Sequence, residues 1–475
     1  MLTGDDFFDS DEFLEILSTY ETAENSGLPV FLDAEELTDI ADYYMTTGNE
    51  KGAEKALDKA LEIFPGAAAP LAFKAREALG CNDVAKAKLL ASQITDKSER
   101  EYLFIKAEIL IALDKVERAD TILKEHFETV GEDVREDFIL DIANIYLDYG
   151  VYDLSYEWLA QSTERLSPDY DELMARTLVG LGKYDEGISI IDRLIDQDPY
   201  SKKYWNALAS AQFLAERYGE AVKSSEYALA IDPNDAEGLL TKANCLHKTE
   251  DFTEALKYYG RYIKSPVADK GLGELNIGMC LVSIGRYDEA VSHLLKALSE
   301  SGSAPQQLHM IYQELAFAYS AKKCYKEAMG CIDKARKLDS DTTDMDILHG
   351  HILLESGHGE EAMQIFRKVI EQTDCDPHTF LRIIVSIYDN KYVEMAYSML
   401  KKLLEHDEEG IGCGYSYLAL CCHDLKKGSE FLHYLKLACE RNPKEAKSVL
   451  GELFPEGMNP ADYYSYFTDL LGHKK

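Results

Sequence analysis

A pattern that returns about every 34 residues governs this chain. Tyr204-Trp205-Asn206-Ala207-Leu208-Ala209 leads to Tyr218-Gly219-Glu220-Ala221 and then to Ala228-Leu229-Ala230-Ile231-Asp232-Pro233. One period on, Leu239, Lys242 and Ala243 lead to Phe252 and Ala255; one period back, Gly182, Tyr184, Gly187 and Pro199 hold the matching places. Upstream the frame takes in Leu37, Ile40, Ala41, Tyr44, Gly48, Ala53, Ala60 and Pro65, then Ile142, Ala143, Tyr146, Gly150 and Tyr152. Downstream it takes in Ile277, Gly278, Leu281, Gly285, Tyr287, Ala290 and Ala297, then Leu315, Ala316, Tyr319, Tyr325, Ala328 and Ala335, and near the end Leu418, Ala419, Leu435, Ala438 and Pro443. With 475 residues the chain exceeds what one compact core can serve. A repeat array escapes that limit, because each unit packs only on its neighbours.

Within each period the apolar residues recur at three- and four-residue steps along two stretches, which predicts two helices per unit. A small residue marks each helix where it approaches the other: Ala41, Ala143, Ala209 or Gly278 on the first, Ala53, Ala221, Ala255, Ala290 or Ala328 on the second. A larger side chain there would overpack the contact at a cost of about 1–3 kcal/mol. Gly48, Gly150, Gly182 and Gly285 stand at the expected turns, where a left-handed backbone is tolerated. Pro65, Pro199, Pro233 and Pro443 stand where the second helix ends.

These residues resemble the tetratricopeptide repeat family over roughly residues 34 to 445. The likeness is strongest in the units that begin near 34, 168, 202, 271 and 309, and weaker near 68, 100, 343 and 377, where the turn glycine or terminal proline is missing. It implies an all-α fold, a right-handed superhelical α-solenoid of about twelve helix pairs with helical caps. The expected division is residues 1–33 as an acidic leader and capping helix, 34–445 as the solenoid, and 446–475 as closing helices. Residues 10–24, with Phe13, Leu14, Ile16, Leu17 and Tyr20, supply the first cap; Val449, Leu450, Leu453, Phe454, Tyr463, Phe467 and Leu470 supply the last. The period breaks at Ser265–Gly273, Ser301–Gln306 and His406–Gly414, where bends or longer loops are expected. A second likeness, Asp11-Glu12-Phe13-Leu14 through Leu28-Pro29-Val30-Phe31-Leu32-Asp33-Ala34-Glu35-Glu36-Leu37, is to the opening of cytoplasmic tetratricopeptide proteins of the Bacteroidetes type, a group without an agreed function.

Charge narrows the partners. The formal net charge is −36, of which the first 168 residues hold roughly −22, and the run from Asp5 to Glu12 contains no base. Such a chain repels nucleic-acid phosphates and anionic membrane surfaces, so neither is expected as a partner. Solubility explains the acidity on one reading; an acidic face for a basic partner explains it on another. No apolar run reaches the ~18–20 residues of a membrane span. The N-terminus has neither the positive nor the apolar region of a secretory signal, and a cytoplasmic location is expected.

A search for chemistry finds no phosphate-binding loop, nucleophile elbow or H-E-x-x-H zinc motif. His349 and His351 lie two apart on one helix and cannot face each other, while His378, His406, His423 and His433 have no ligand at helical spacing. Cys280, Cys324, Cys331, Cys421, Cys422 and Cys439 fall on amphipathic helices as small apolar residues. The group Cys413, Cys421, Cys422 and His423 lacks paired C-x-x-C spacing and reads as core. Glu360-Glu361 and Glu408-Glu409 read as solvated charge. Neither catalysis nor a cofactor or metal is expected.

The resemblance puts function on the concave face, lined by the first helix of each unit. Its frame places Asn144, Arg176, Ser210 and Asn244 at one recurring position, joined by Lys203, Asn206, His247 and Lys248: a polar, locally basic ladder in an acidic chain. Beyond it the character turns apolar, with Leu272, Leu275, Met279, Val282, Met310 and Phe317, then Leu381, Val385 and Tyr388. Such a ladder beside a trough suits an extended or helical peptide, although the same residues also read as ordinary exposed helix or as packing. The Lys/Asn/Asn/Lys/Arg clamp of the chaperone-tail binders is absent, with Glu172, Arg176 and Ala207 in its places. A scaffold or adaptor that binds a peptide segment or protein partner is expected first, a peptide-responsive sensor second, an enzyme last.

Overall fold

A computed structural model describes residues 7–8, 10–27, 29–165, 167–300, 302, 305–338, 342–374, 376–405, 412–455 and 457–472. The acidic residues Asp5, Asp6 and Asp9, half of the break at Ser301–Gln306, most of the break at His406–Gly414, and the pair Glu408-Glu409 lie outside the described residues. Among the described residues twelve antiparallel helix pairs follow one another in the chain, and there is no strand. The described residues fall into two compact units, which divide between Gly273 and Glu274.

The first unit opens with α1 (Asp11–Ser26) and continues with seven pairs: α2/α3 (Ala34–Thr46, Glu50–Ile63), α4/α5 (Ala68–Gly80, Val84–Gln93), α6/α7 (Arg100–Ile111, Val116–Phe127), α8/α9 (Arg135–Asp148, Tyr152–Leu159), α10/α11 (Pro168–Gly180, Tyr184–Gln197), α12/α13 (Lys202–Leu214, Tyr218–Ile231) and α14/α15 (Ala236–Lys248, Phe252–Tyr262). Ser10 caps α1 by accepting from the Phe13 amide, and α1 buries Phe13, Leu17 and Tyr20 in the core of the first pair, while Leu14 stays exposed. Asp33 and Glu36 form a reciprocal capping box that fixes the start of α2. The break after α15 is the connection to the next helix, held by a hydrogen bond from the Asp269 amide to the Tyr262 hydroxyl at 3.0 Å.

The second unit contains most of α16 (Lys270–Ser283) with α17 (Tyr287–Glu300), then α18/α19 (Pro305–Ala321, Tyr325–Ala335), α20/α21 (Thr343–Glu355, Gly359–Gln372), α22/α23 (Pro377–Asp389, Val393–Glu405) and α24/α25 (Tyr415–Asp424, Gly428–Arg441). It closes with α26 (Pro443–Leu450) and α27 (Pro460–Gly472), whose Tyr463 stacks on Phe454 at 3.8 Å. Pro443 both ends α25 and occupies the first turn of α26, a place that needs no amide donor.

Small residues set the spacing within each pair. Ala41, Ala143, Ala209 and Ala243 on first helices are fully buried, as are Ala221, Ala255, Ala290 and Ala328 on second helices. Gly278 and Gly350 leave no room even for a methyl: a Cβ would come within 2.6 Å of Leu294 and 2.3 Å of Phe366 respectively. Burial also carries polar staples. Arg193 of α11 donates two bonds to Asp171 of α10, at 3.0 and 2.6 Å. Asp120 of α7 accepts from the Trp158 indole at 3.0 Å and from the Tyr146 hydroxyl at 3.3 Å.

One residue in a left-handed conformation joins the two helices of every pair. Gly48, Gly150, Gly182, Gly285 and Gly357 supply it as glycine; Asn82, Asp114, Glu216, Glu250, Lys323, Lys391 and Lys426 supply it with a side chain. The hydrogen bonds repeat: the Glu250 amide donates to the His247 carbonyl and the next amide to the Leu246 carbonyl, a Schellman turn that satisfies the helix end. The units near 68, 100 and 377 therefore make the same turn without glycine. Gly48 has a further reason to be glycine, because a Cβ there would lie 2.9 Å from the Pro266 carbonyl oxygen, where the segment after the seventh pair meets the turn of the first.

Two outcomes follow from these turns and from the acidic first pair. Glu250→Gly removes a left-handed residue's strain and raises stability by about 1 kcal/mol, whereas Gly182→Ala lowers it by about the same amount, both read by urea midpoint at constant slope; Gly48→Ala costs more than Gly182→Ala because the new methyl also meets Pro266. The carboxyl of Asp39 holds its proton up to about 6, through burial and then the charges of Asp42, Glu35, Asp33 and Glu36. The folded chain thus binds this proton more tightly than the unfolded one, so ionisation works against folding as pH rises past about 4. Asp39→Asn raises the melting temperature at pH 7, and the gain shrinks as pH is lowered to about 4.

Candidate functional site

First helices of successive pairs touch one another directly, α2 on α4, α4 on α6, α8 on α10, α12 on α14 and α20 on α22, so equivalent positions recur along one wall of each unit. In the first unit this wall holds a cleft of about 620 Å³ across α4, α6 and α8. Its charges are internal. Arg76 donates to the buried Glu108 at 2.9 Å and to Glu101 at 3.1 Å, and the Tyr149 hydroxyl donates to Glu108 at 3.2 Å. Arg100 pairs with Asp141 at 3.3 Å, yet burial outweighs that attraction and holds the Asp141 carboxyl up at about 6.

The polar ladder lies in this unit, and five of its eight members are held by neighbours in the chain. Asn144 donates to Asp148 at 3.1 Å and accepts from Arg176 at 3.3 Å, and Arg176 also reaches Asp148 at 3.3 Å. Lys203 is ion-paired with Glu172 of the preceding pair. Asn206 is buried and donates to Asp235 at 2.7 Å, the residue that caps α14, so it joins two repeats and does not face an open groove. Asn244 accepts from the Tyr259 hydroxyl at 2.7 Å. Ser210 is half-buried. His247 is half-buried edge-on to Phe252, and burial, then Lys248, lowers its proton affinity; Lys248 itself is exposed. Across repeats, a hydrogen bond among the described residues joins Asn144 and Arg176 of the eight. The locally basic character expected from the sequence is offset for Arg176 and Lys203, because each is ion-paired with a carboxylate on the first helix of the preceding pair.

The apolar stretch divides. Leu275 is fully buried in the core of the second unit, which corrects its assignment to a groove: its side chain packs with Leu294, Ile311 and Leu315. Met279 is half-buried against the same core. Phe317 is 47% exposed and stands in a groove of about 820 Å³ across α16, α18, α20, α22 and α24. Val282, Leu381 and Val385 line this groove too, while Tyr388 instead donates to Asp424 at 2.7 Å.

Glu314, Leu348, His351, Arg382, Asp389 and Tyr417 also line this groove and were missed by the sequence reading. Their signal was present: Glu314, Leu348 and Arg382 are spaced by the 34-residue period, and so are Phe317, His351 and Val385. Arg382 donates to Asp344 at 2.7 Å. His351 Nδ1 lies 3.0 Å from the Ser386 hydroxyl, and His349 meets Arg336 instead, so the two histidines serve different neighbours. Burial raises the proton affinity of Glu314, and that of Asp389 against the opposing charges of His351 and Lys391.

Among the described residues no three His, Cys, Asp or Glu side chains gather as metal ligands. Cys421 and Cys422 are buried, with thiols pushed up to about 12 and about 11 by burial, and Cys413 accepts from Asn442 at 3.5 Å. No described helix is long and apolar enough to cross a membrane.

Comparison with known proteins bears on this arrangement. Two family models described as tetratricopeptide repeat match the chain, one at residues 173–236 and the other at 37–66 and 275–302. A TPR repeat-containing protein of Methanocaldococcus jannaschii is 21% identical over 310 residues, 60% of this chain and 48% of that protein, so the chain spans about half the length of that relative. Among solved structures, the APC/C hetero-tetramer Cut9-Hcn1 is 14% identical with a TM-score of 0.37 over 96% of this chain and 95% of that one. PilW, a type IV pilus biogenesis factor, is 18% identical with a TM-score of 0.40 over 43% of this chain and 93% of that one.

Proposed function

Because this chain is a tetratricopeptide-repeat protein, a scaffold for contact with other proteins, we propose that it binds a segment of a partner protein along the first-helix wall of its second unit. The observation that carries this reading is Phe317, a large aromatic side chain left 47% exposed in a groove of about 820 Å³. Isolated exposed apolar residues are ordinary; one set among Val282, Leu348, Val385 and Tyr417, on the first helices of five successive pairs, offers the apolar floor that a peptide needs. The first unit's cleft supports the reading less well, since Arg76, Arg100 and Arg176 already spend their donors on Glu101, Glu108, Asp141 and Asp148.

The same wall gives no support to catalysis. Glu314 and Asp389 stand on different helices, and although the Ser386 hydroxyl lies 3.0 Å from His351 Nδ1, Asn390 meets that same nitrogen, so neither contact is the third group that would orient the ring from its other nitrogen. A role as an adaptor also fits the acidity of the chain, which favours protein partners over phosphate-bearing ones.

Affinity capture from the source cell with the full chain tests this reading. Proteins retained by the wild type are expected to fall about tenfold or more with Phe317→Glu, which places a charge on the apolar floor. They should persist with Leu89→Glu, an exposed apolar residue of α5 in the other unit. An identical set of captured proteins with Phe317→Glu overturns it.

A further inference from the structure

The groove of the second unit has chemistry that specifies its occupant, and the inference rests on the reading above. Phe317, Leu348, Val385 and Tyr417 form its apolar floor, and Glu314 stands one helical turn before Phe317 on the same face of α18. Among the described residues that line the groove the one arginine, Arg382, is taken by Asp344 at 2.7 Å. His351 is held by Ser386 at 3.0 Å and Asn390 at 3.2 Å. Among the described residues no lysine, arginine or hydrogen-bond donor is recorded on the carboxylate of Glu314, although Glu314 is half-buried. Burial accordingly raises its proton affinity with no positive charge to oppose it, and Asp389 is strained in the same direction at the other end of the groove.

A carboxylate sunk in an apolar wall without a cation is costly in the empty groove, and a ligand that brings the cation relieves the cost. A purely apolar segment would bury Glu314 further and still unpaired, and an acidic one would add repulsion. We propose that the groove of the second unit takes a peptide segment that presents a lysine or arginine beside a large apolar side chain, the cation on Glu314 and the apolar group against Phe317 and Val385. The partner is thus a basic-apolar segment of a protein. The groove selects it by charge as well as by fit, in contrast to the first unit, where the wall's own arginines already occupy the acids.

A phage-displayed library of random peptides, panned on the full chain, provides the test. Enriched sequences are expected to place Lys or Arg next to Leu, Phe, Tyr or Trp. As synthetic peptides they should bind Glu314→Gln about tenfold more weakly than wild type, and should lose binding to Phe317→Glu. Peptides that need Phe317 but carry no base, or that bind Glu314→Gln as tightly as wild type, overturn the cation assignment and leave the groove reading standing. Peptides indifferent to Phe317→Glu, or a library that yields no enrichment, overturn both. Glu314→Gln should melt at or above the wild-type temperature, since it removes a buried charge; a lower melting temperature makes Glu314 a structural group and overturns the proposal.

Discussion

The close approach of two helices at a small residue is the constraint on which both units depend. Where the first helix carries Ala209, Ala243 or Gly350, its partner can lie against bare backbone, and the larger side chains on either side interdigitate across the contact. The Phe366 ring at Gly350 shows how tight this is: the ring occupies the space a methyl would need. The apolar faces left over on one pair are then covered by the next, as Leu294 of α17 is covered by Ile311 and Leu315 of α18. Stability is therefore local, a sum of pair contacts and neighbour contacts.

That local arithmetic explains which features could be read in the sequence. The period, the small residues and the turn glycines Gly48, Gly150, Gly182 and Gly285 are requirements of single contacts, and each leaves a recognisable residue type at a fixed offset. The turns at Glu216, Glu250, Lys323 and Lys391 were invisible because the backbone there is imposed by the helices on either side, and an exposed side chain tolerates a left-handed conformation at a cost of about 1–2 kcal/mol. The wall residues were harder still. Asn206 and Leu275 occupy positions that the repeat frame assigns to the groove, yet one caps the next pair through Asp235 and the other is core. A frame says which way a residue points on its own helix; whether the neighbour leaves it open depends on the neighbour's side chain, one period away.

Electrostatics differ between the two walls for the same reason. In the first unit acids and arginines fall within reach of one another on successive first helices, so that Arg76 meets Glu108 and Glu101, Arg100 meets Asp141, and Arg176 meets Asp148. Such pairs stiffen the wall and leave it little appetite for a ligand. They also hold Glu108 at 5% side-chain exposure, where removing Arg76 would leave a buried charge without compensation.

In the second unit the series at the Glu314 position runs Glu314, Leu348, Arg382, so acid and base are two repeats apart with an apolar residue between them. They cannot meet along the wall, and Arg382 turns to Asp344 instead. Glu314 is left facing the apolar floor built by Phe317 and Val385, which the parallel series Phe317, His351, Val385 supplies. The repeat period therefore does more than stack helices: by deciding which residues are neighbours, it closes the charge balance of one wall and leaves that of the other incomplete. An incomplete balance beside an exposed aromatic ring is a physical reason for that wall, rather than the more polar one, to engage a second protein.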